Sequence, residues 1–505
     1  MRRRAVLLAL AAFLAAPSLR AAEAEVLVVL WFDTEDYLLP ASDDAARRVA
    51  EILSARGVRA TFKVVGEKAR VLARRGRSDV VAALAKHDIG YHSNLHSVHP
   101  TPAEYLAESG WHDGMAEFIR REGAGARDVM RTFGVQALSA YGQPGSSWAP
   151  QAVAALPQIG VATYVDEGGH VGFDEQPFWY AGVLNVFNMG RNLARMDLHE
   201  EGGLARGRDE FQAAYERLRA SGGGLISVYY HPAEWVHREF WDAVNFRRGA
   251  NPPREHWKQP PQRPREETDA AYQRFDQYVA YQLSLPGVRH VTAADLPGLY
   301  TNRIRTDGAD VATVRAVAEK LAKGPARDVV SDAQGRLVSP AEQFAILGRF
   351  LSRAIKEKAI VRWVEATPPL GPARRPPATE VNELAWPAFR DALLDAFDET
   401  ATQGQVPARV FAGTKQIAPA DFLRAAADVT VQILDASRGG PIVVFPEKVA
   451  VPRGTTVAAE RYVADDTADL FGGWIIHPEG FRAPRIVEMA KLQAWTLKPA
   501  ERAGR

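Results

Sequence analysis

The sequence predicts an α/β fold, a distorted parallel β/α barrel of about seven strands, followed by a mainly helical C-terminal domain. Three observations carry that reading. Between residues 25 and 300, short apolar runs alternate with longer segments of helical periodicity, the pattern of parallel strands covered by helices. Seven or so such strands suggest a closed or nearly closed barrel. Past residue 300 the apolar spacing becomes that of helices.

In chain order, residues 1–24 stand apart. Met1-Arg2-Arg3-Arg4 is basic, 5–16 are apolar, and small residues at 21–24 offer cleavage sites, as in a secretory signal peptide. That apolar run is shorter than the roughly 20 residues that span a bilayer. Export to the periplasm or the extracellular space is therefore expected, with no membrane span after signal removal. About 480 residues remain, too many for one ordinary core, so a barrel domain at 25–300 and a helical domain at 301–505 are expected. Lys plus Arg is 62 and Asp plus Glu is 61, and a net charge of +1 gives no nucleic-acid footprint. The chain has no cysteine, so disulfides, zinc ribbons and thiol chemistry are excluded and any metal must be held by His and carboxylate.

Strands are expected at 26–32, 60–65, 87–91, 136–141, 162–165, 183–187, 225–230 and 288–292, each a short apolar run, with helices at 45–56 and 78–86 between the first of them. In β/α barrels the chemistry sits at the C-terminal ends of strands. Polar residues recur at those ends: Asp33, Glu35 and Asp36, then His92 and His96, then Gln143 to Ser146, then Asp166, then His231. The carboxylate cluster and the H-x-x-x-H pair can supply three ligands and leave a fourth position open, the ligand count of a catalytic metal site.

Residues 26 to about 235 resemble the polysaccharide deacetylase family, the NodB-homology or carbohydrate esterase family 4 domain. The matches are Trp31-Phe32-Asp33-Thr34-Glu35-Asp36 to its first motif, Ala60 to Gly66 to its second strand, and Ile89 to His96 to its H-[ST]-x-x-H motif. Gln143-Pro144-Gly145 stands where the family has an R-x-P-x-G loop, Asp166 where it has its fourth motif, and residues 225–231 where a strand ends in a catalytic His. The resemblance implies metal-assisted removal of N-acetyl, or O-acetyl, groups from an envelope or extracellular polysaccharide, with peptidoglycan among the partners. It implies a divalent ion, zinc first and cobalt, nickel or manganese after it, on His92, His96 and one carboxylate, lowering the pKa of bound water and polarising the acetyl oxygen. Asp33 would be the general base, His231 the acid, Asp166 the residue that orients His231, and the loop of Gln143, Pro144, Gly145 and Ser146 the substrate and oxyanion site.

Two positions depart from the family pattern. Thr34 occupies the expected ligand slot, and strand alternation puts Asp33 and Glu35 on one face, making Glu35 the first choice of ligand and Asp36 the second. The third-motif Arg that contacts the base is missing, with Gly142-Gln143 in its place. Arg131 or Arg191 could enter from elsewhere, or Gln143 could hydrogen-bond Asp33.

Beyond residue 300 a two-fold repeat is expected. Val338-Ser339-Pro340-Ala341-Glu342 recurs as Ile417-Ala418-Pro419-Ala420-Asp421, each a helix start preceded by another helix at 311–321 or 386–400. The repeat is similar to cell-wall-binding repeats of the pseudomurein-binding type. Against the deacetylase reading stands a catalytically inactive glycan- or cell-wall-binding protein on the same fold. A two-His-one-carboxylate oxygenase would place its first His and carboxylate two residues apart, and a zincin protease would need Glu where Ser93 stands.

Overall fold

The computed structural model describes residues 24–324, 326–437 and 443–503. The expected signal peptide lies outside them except for Ala24. Nine strands build the barrel half: β1 (Val26–Thr34), β2 (Thr61–Val64), β3 (Asp88–Tyr91), β4 (Leu138–Tyr141), β5 (Val161–Val165), β6 (Phe178–Tyr180), β7 (Val183–Val186), β8 (Gly224–Tyr230) and β9 (Val288–Val291). The order across the sheet is β6-β7-β5-β4-β3-β2-β1-β8, with β9 also on β1. All neighbours are parallel except β6 against β7.

All nine residues of β1 are buried, so it is the central strand. Its partner β8 takes one whole edge, Val26 to Phe32. The other edge is divided: β9 pairs with Val26 to Val29 and β2 with Trp31 to Thr34. The barrel is curled but not fully laddered. Between β7 and β8 a single bridge, Leu193 to Ser227, stands where a further strand would close it.

Alternation along β1 sets the two cores. Leu27, Val29 and Trp31 face the barrel interior with Ala140, Val165 and Leu184, whereas Val28, Leu30 and Phe32 face the surrounding helices. Asp33 and Glu35 continue the inward series. Along β8, Ile226, Val228 and Tyr230 face the helices, which leaves Ser227, Tyr229 and then His231 on the inner face. Ser227 Oγ accepts the Trp31 indole N–H at 2.9 Å across that interior.

The eight expected strands are all present within two residues of their expected ends. Strand β6 was not expected. It is three residues long, Phe-Trp-Tyr, too short for periodicity to show. Its outer edge pairs antiparallel with Lys498–Pro499 near the C-terminus, which covers an otherwise open sheet edge.

The C-terminal region contains two units of one plan. In the first, Val311–Ala322, a ribbon of Val330–Ser331 with Leu337–Val338, and Pro340–Glu357 follow in order. In the second, Trp386–Gln403, a ribbon of Val410–Ala412 with Lys415–Ile417, and Pro419–Ala436 do the same. Ser339 and Glu342 form a reciprocal capping box, and proline opens both final helices. Among the described residues no helix is long and apolar enough to cross a membrane.

Candidate metal and hydrolytic site

The loops after β1 and β3 bring three donors together. The ligand atoms of Glu35, His92 and His96 all lie within 4.8 Å of one another, and all three residues are buried. Glu35 Oε2 is 2.8 Å from His96 Nε2 and 3.6 Å from His92 Nε2. His96 reaches this position through a left-handed backbone, φ 58°, a conformation few non-glycine residues adopt. The loop is braced from the helix Trp111–Phe133, where Glu122 accepts from Asn94 N at 2.7 Å and from the Tyr91 hydroxyl at 2.8 Å.

The hydrogen bonds of the two imidazoles leave their inward nitrogens available. His92 Nδ1 donates to Gly142 O at 3.0 Å, which fixes the tautomer with its lone pair on Nε2. His96 Nδ1 contacts Ser97 Oγ, which in turn reaches Asp242 Oδ2 at 3.5 Å. His96 Nε2 is buried and, though close to Glu35, is not aligned for a hydrogen bond with any described group. Two imidazole nitrogens and a carboxylate, one nitrogen lacking a hydrogen-bond partner and both rings held from behind, suit a divalent first-row ion.

The electrostatics agree. Burial alone would raise the Glu35 carboxyl, but His96, His231 and His92 outweigh it and hold it well below the usual range. Burial lowers His92, which favours the neutral imidazole. His96 is raised because Glu35 outweighs the burial that opposes its charge.

Asp36 does not join the group. Its carboxylate accepts from Leu38 N at 2.7 Å, from Ser42 Oγ, and pairs with His237 Nε2 at 2.9 Å. It belongs to a buried network that pins the start of the helix Pro40–Ala55. As the next residue after Glu35, it turns to the opposite face.

Asp33 lies beside the ligand group, with Oδ1 3.3 Å from His92 Nδ1 and Oδ2 3.7 Å from His231 Nε2. The cation beside it is Lys63, which none of the sequence candidates included. Lys63 is fully buried on β2, directly across from Asp33 in the ladder. Its ammonium is 2.9 Å from Asp33 Oδ1 and 2.7 Å from Asp166 Oδ2, donates to Val165 O at 2.8 Å, and sits 3.9 Å from the centre of the Trp31 ring. Gly142 makes the room: a Cβ there would stand 1.9 Å from Lys63 Nζ and 2.0 Å from Asp166 Oδ2. The space beside Asp33 and Gly142 is thus occupied by a lysine arriving from two strands away. Asp33, His92 and Asp166 could also be read as a metal group, but a buried ammonium already sits between its two carboxylates.

The other candidates fall as follows. Asp166 pairs with Lys63 and does not touch His231. Burial pushes its carboxyl up against the opposing pull of Lys63. His231 is oriented by Glu234, whose Oε1 accepts from Nδ1 at 2.6 Å and also from the His231 backbone at 3.0 Å. Arg195 secures Glu234 from the far side. Burial opposes the imidazolium of His231, yet Glu35, Glu234 and Asp33 together raise it to about 9. Glu234 is drawn down to about 2 because Arg195 and His231 outweigh its burial.

Gln143 braces its own loop, donating to Gly145 O at 3.0 Å and Glu167 O at 2.9 Å and accepting from the Tyr164 hydroxyl, so it does not meet Asp33. Pro144 O accepts from Ser147 N at 2.9 Å in a turn, and Ser146 Oγ donates to Phe471 O at 2.7 Å. Gly145 lies beneath the Trp474 ring. Arg131 and Arg191 are exposed and paired with Asp128 and Glu175. Two tryptophans wall the site: Trp241, one of three that the sequence offers with Trp148 and Trp235 for stacking on a sugar ring, and Trp474, which it does not single out, lie 5.6 and 5.7 Å from the His96 ring, and Trp241 Nε1 is 3.3 Å from Glu35 Oε1. For Lys63 a signal existed, a charge inside an otherwise apolar strand. For Trp474 none did.

No family model and no curated protein matches the sequence. Solved structures similar to it include a candidate polysaccharide deacetylase from Mycobacterium smegmatis, at 16% identity over 56% of this chain and 92% of that one, with a TM-score of 0.35. A family 4 carbohydrate esterase from Streptomyces lividans in complex with acetate is 16% identical over 52% of this chain and 91% of that one, TM-score 0.27. A carbohydrate esterase family 4 pseudoenzyme from Bacillus anthracis is 13% identical over 53% and 65%, TM-score 0.28. The neighbours thus include a candidate polysaccharide deacetylase and two proteins of carbohydrate esterase family 4, one of them a pseudoenzyme, and the likeness spans about half of this chain at low identity.

Proposed function

We propose that this protein is an exported, metal-dependent hydrolase that removes N-acetyl groups from an envelope or extracellular polysaccharide. One observation carries the reading: a two-His-one-carboxylate group lies against an ion-paired Asp and a Glu-held His at the C-terminal mouth of a parallel barrel. Glu35, His92 and His96 would hold the divalent ion, zinc first with cobalt, nickel or manganese as alternatives. The chemistry such an ion supplies is Lewis-acid polarisation of an acyl oxygen and acidification of water.

The chain's own residues supply the proton transfers. Lys63 holds Oδ1 of Asp33, leaving Oδ2 to take a proton from the attacking water. His231, whose imidazolium Glu234 favours by charge and hydrogen bond, presents Nε2–H to the departing nitrogen. Glu234 keeps its ring in register. Lys63 supports the hydrolase over an inactive glycan binder, because it gives Asp33 a cation where the family's arginine is missing.

The test is acetate release from a panel of N-acetylated glycans by the zinc-, cobalt- and manganese-loaded protein, beside Asp33→Asn and His92→Ala. Release by wild type alone supports the reading. Silence from all three on every glycan, with glycan binding retained, would replace it with the binding protein.

A further inference from the structure

Residues 468–481 of the C-terminal region cross the mouth of the barrel. Ser146 Oγ, in the loop after β4, donates to Phe471 O at 2.7 Å, and His477 Nε2 lies 3.4 Å from Thr101 Oγ1 in the loop after β3. Beyond β8, Arg248 N and Gly249 N donate to Ile475 O and Ile476 O, both at 2.8 Å, and Trp474 Nε1 donates to Asp242 Oδ2 at 3.3 Å. The Trp474 ring packs on Gly145 so closely that a Cβ there would come within 2.2 Å of it. Under this bridge Asp33, Glu35, His92 and His96 are each 4% exposed or less, whereas the His231 side chain keeps 21%. Behind His231, on the side of its partner Glu234, a cavity of about 350 Å³ is lined by Glu234, Phe240, His199, His237 and Arg263, while His231 and the four buried residues are not in its wall. That is at the small end of the range of about 300–1,000 Å³ for small-molecule sites.

We infer that residues 468–481 restrict the site to acetylated chain ends and short oligosaccharides entering from the His231 side, and exclude sugars in the interior of a long polymer. The inference rests on the hydrolase reading only for the nature of the acyl group. An interior sugar continues in two directions, so its chain must lie across the mouth with room on both sides of the reacting unit. The bridge fills one of those sides. Displacing it breaks several hydrogen bonds, each worth about 0.5–1.5 kcal/mol, and strips Trp474 from Gly145 and His96. A chain end needs room on one side only.

Calorimetric titration of the zinc-loaded Asp33→Asn protein with an N-acetylglucosamine tetramer and with a long soluble N-acetylglucosamine polymer tests this. The tetramer should bind and the polymer should bind at least about tenfold more weakly per site. Adding Trp474→Ala, or in a second protein Ser146→Ala, should close that gap, with thermal melting confirming that each variant is folded. Equal binding of polymer and tetramer by the protein with an intact bridge overturns the inference, as does binding of neither. Acetate release from the tetramer by the wild-type protein, measured alongside, separates the two readings. A tetramer that binds but is never deacetylated removes the hydrolase and leaves the bridge.

Discussion

His231 and Glu234 form a pair whose charges are set by their surroundings: Glu234 is held anionic by Arg195 and His231, and its negative charge keeps His231 protonated. An acid of this kind acts only while it holds its proton. Acetate release should therefore persist while His231 holds its proton and fall on a basic limb as it loses it. In Glu234→Gln one of the three carboxylates that raise His231 is removed, together with its hydrogen bond, so the basic limb of the kcat/KM profile should move to lower pH. An unmoved limb would show that Glu234 does not tune the acid. Asp33→Asn keeps the shape but not the base, so the rate should drop by about 10²–10⁴, the usual contribution of a positioned general base, while zinc affinity measured by calorimetry stays near that of wild type. At this scale the sequence was informative where a residue's strand position settles its direction. Asp33, Glu35 and His231 continue inward-facing series, and His92 and His96 follow β3. It was uninformative where partners are distant in sequence, as with Lys63 and Asp166, 103 residues apart, or where two carboxylates compete for one histidine.

Strand pairing explains how a lysine comes to lie beside Asp33. Asp33, Lys63 and Gly90 lie side by side across β1, β2 and β3. A Cβ at Gly90 would come within 3.0 Å of Lys63 Cγ, so glycine there admits the lysine stem, as Gly142 admits its head. Lys63→Ala leaves Asp33 and Asp166 buried without their cation, a change expected to cost about 3–5 kcal/mol in urea denaturation and to depress acetate release. Gly142→Arg alone should be worse, since its side chain meets Lys63 head-on. Combined, Lys63→Ala and Gly142→Arg should recover part of both losses, with a favourable coupling of about 0.5–3 kcal/mol in a double-mutant cycle. Strictly additive losses would mean that the two positions do not share one space. The strands themselves were legible because each is a short apolar run. The order of side chains across them was not, because register depends on the whole sheet.

At the scale of the whole molecule, the boundary near residue 300 separates two patterns of sequence but not two cores. One apolar cluster runs from the helix-facing side of β1 through Tyr180 into Phe344, Met489 and Trp495. Polar contacts cross the same seam: Tyr180 donates to Ala490 O at 2.9 Å, and Lys498, fully buried, lies 2.9 Å from Glu342 and donates to Asn302 at 2.8 Å. Lys498–Pro499 completes the edge of β6. A chain so joined should unfold in one step. Urea titrations followed by tryptophan fluorescence and by far-ultraviolet circular dichroism should give coincident midpoints, as two-state behaviour requires. Truncation after residue 483 would remove Met489, Trp495 and the edge strand together, baring an apolar face and an unpaired strand, so the shortened chain should aggregate. Two separated transitions, or a soluble and cooperatively folded 24–483 fragment, would show instead that the barrel stands alone and that the C-terminal region is an attachment to it.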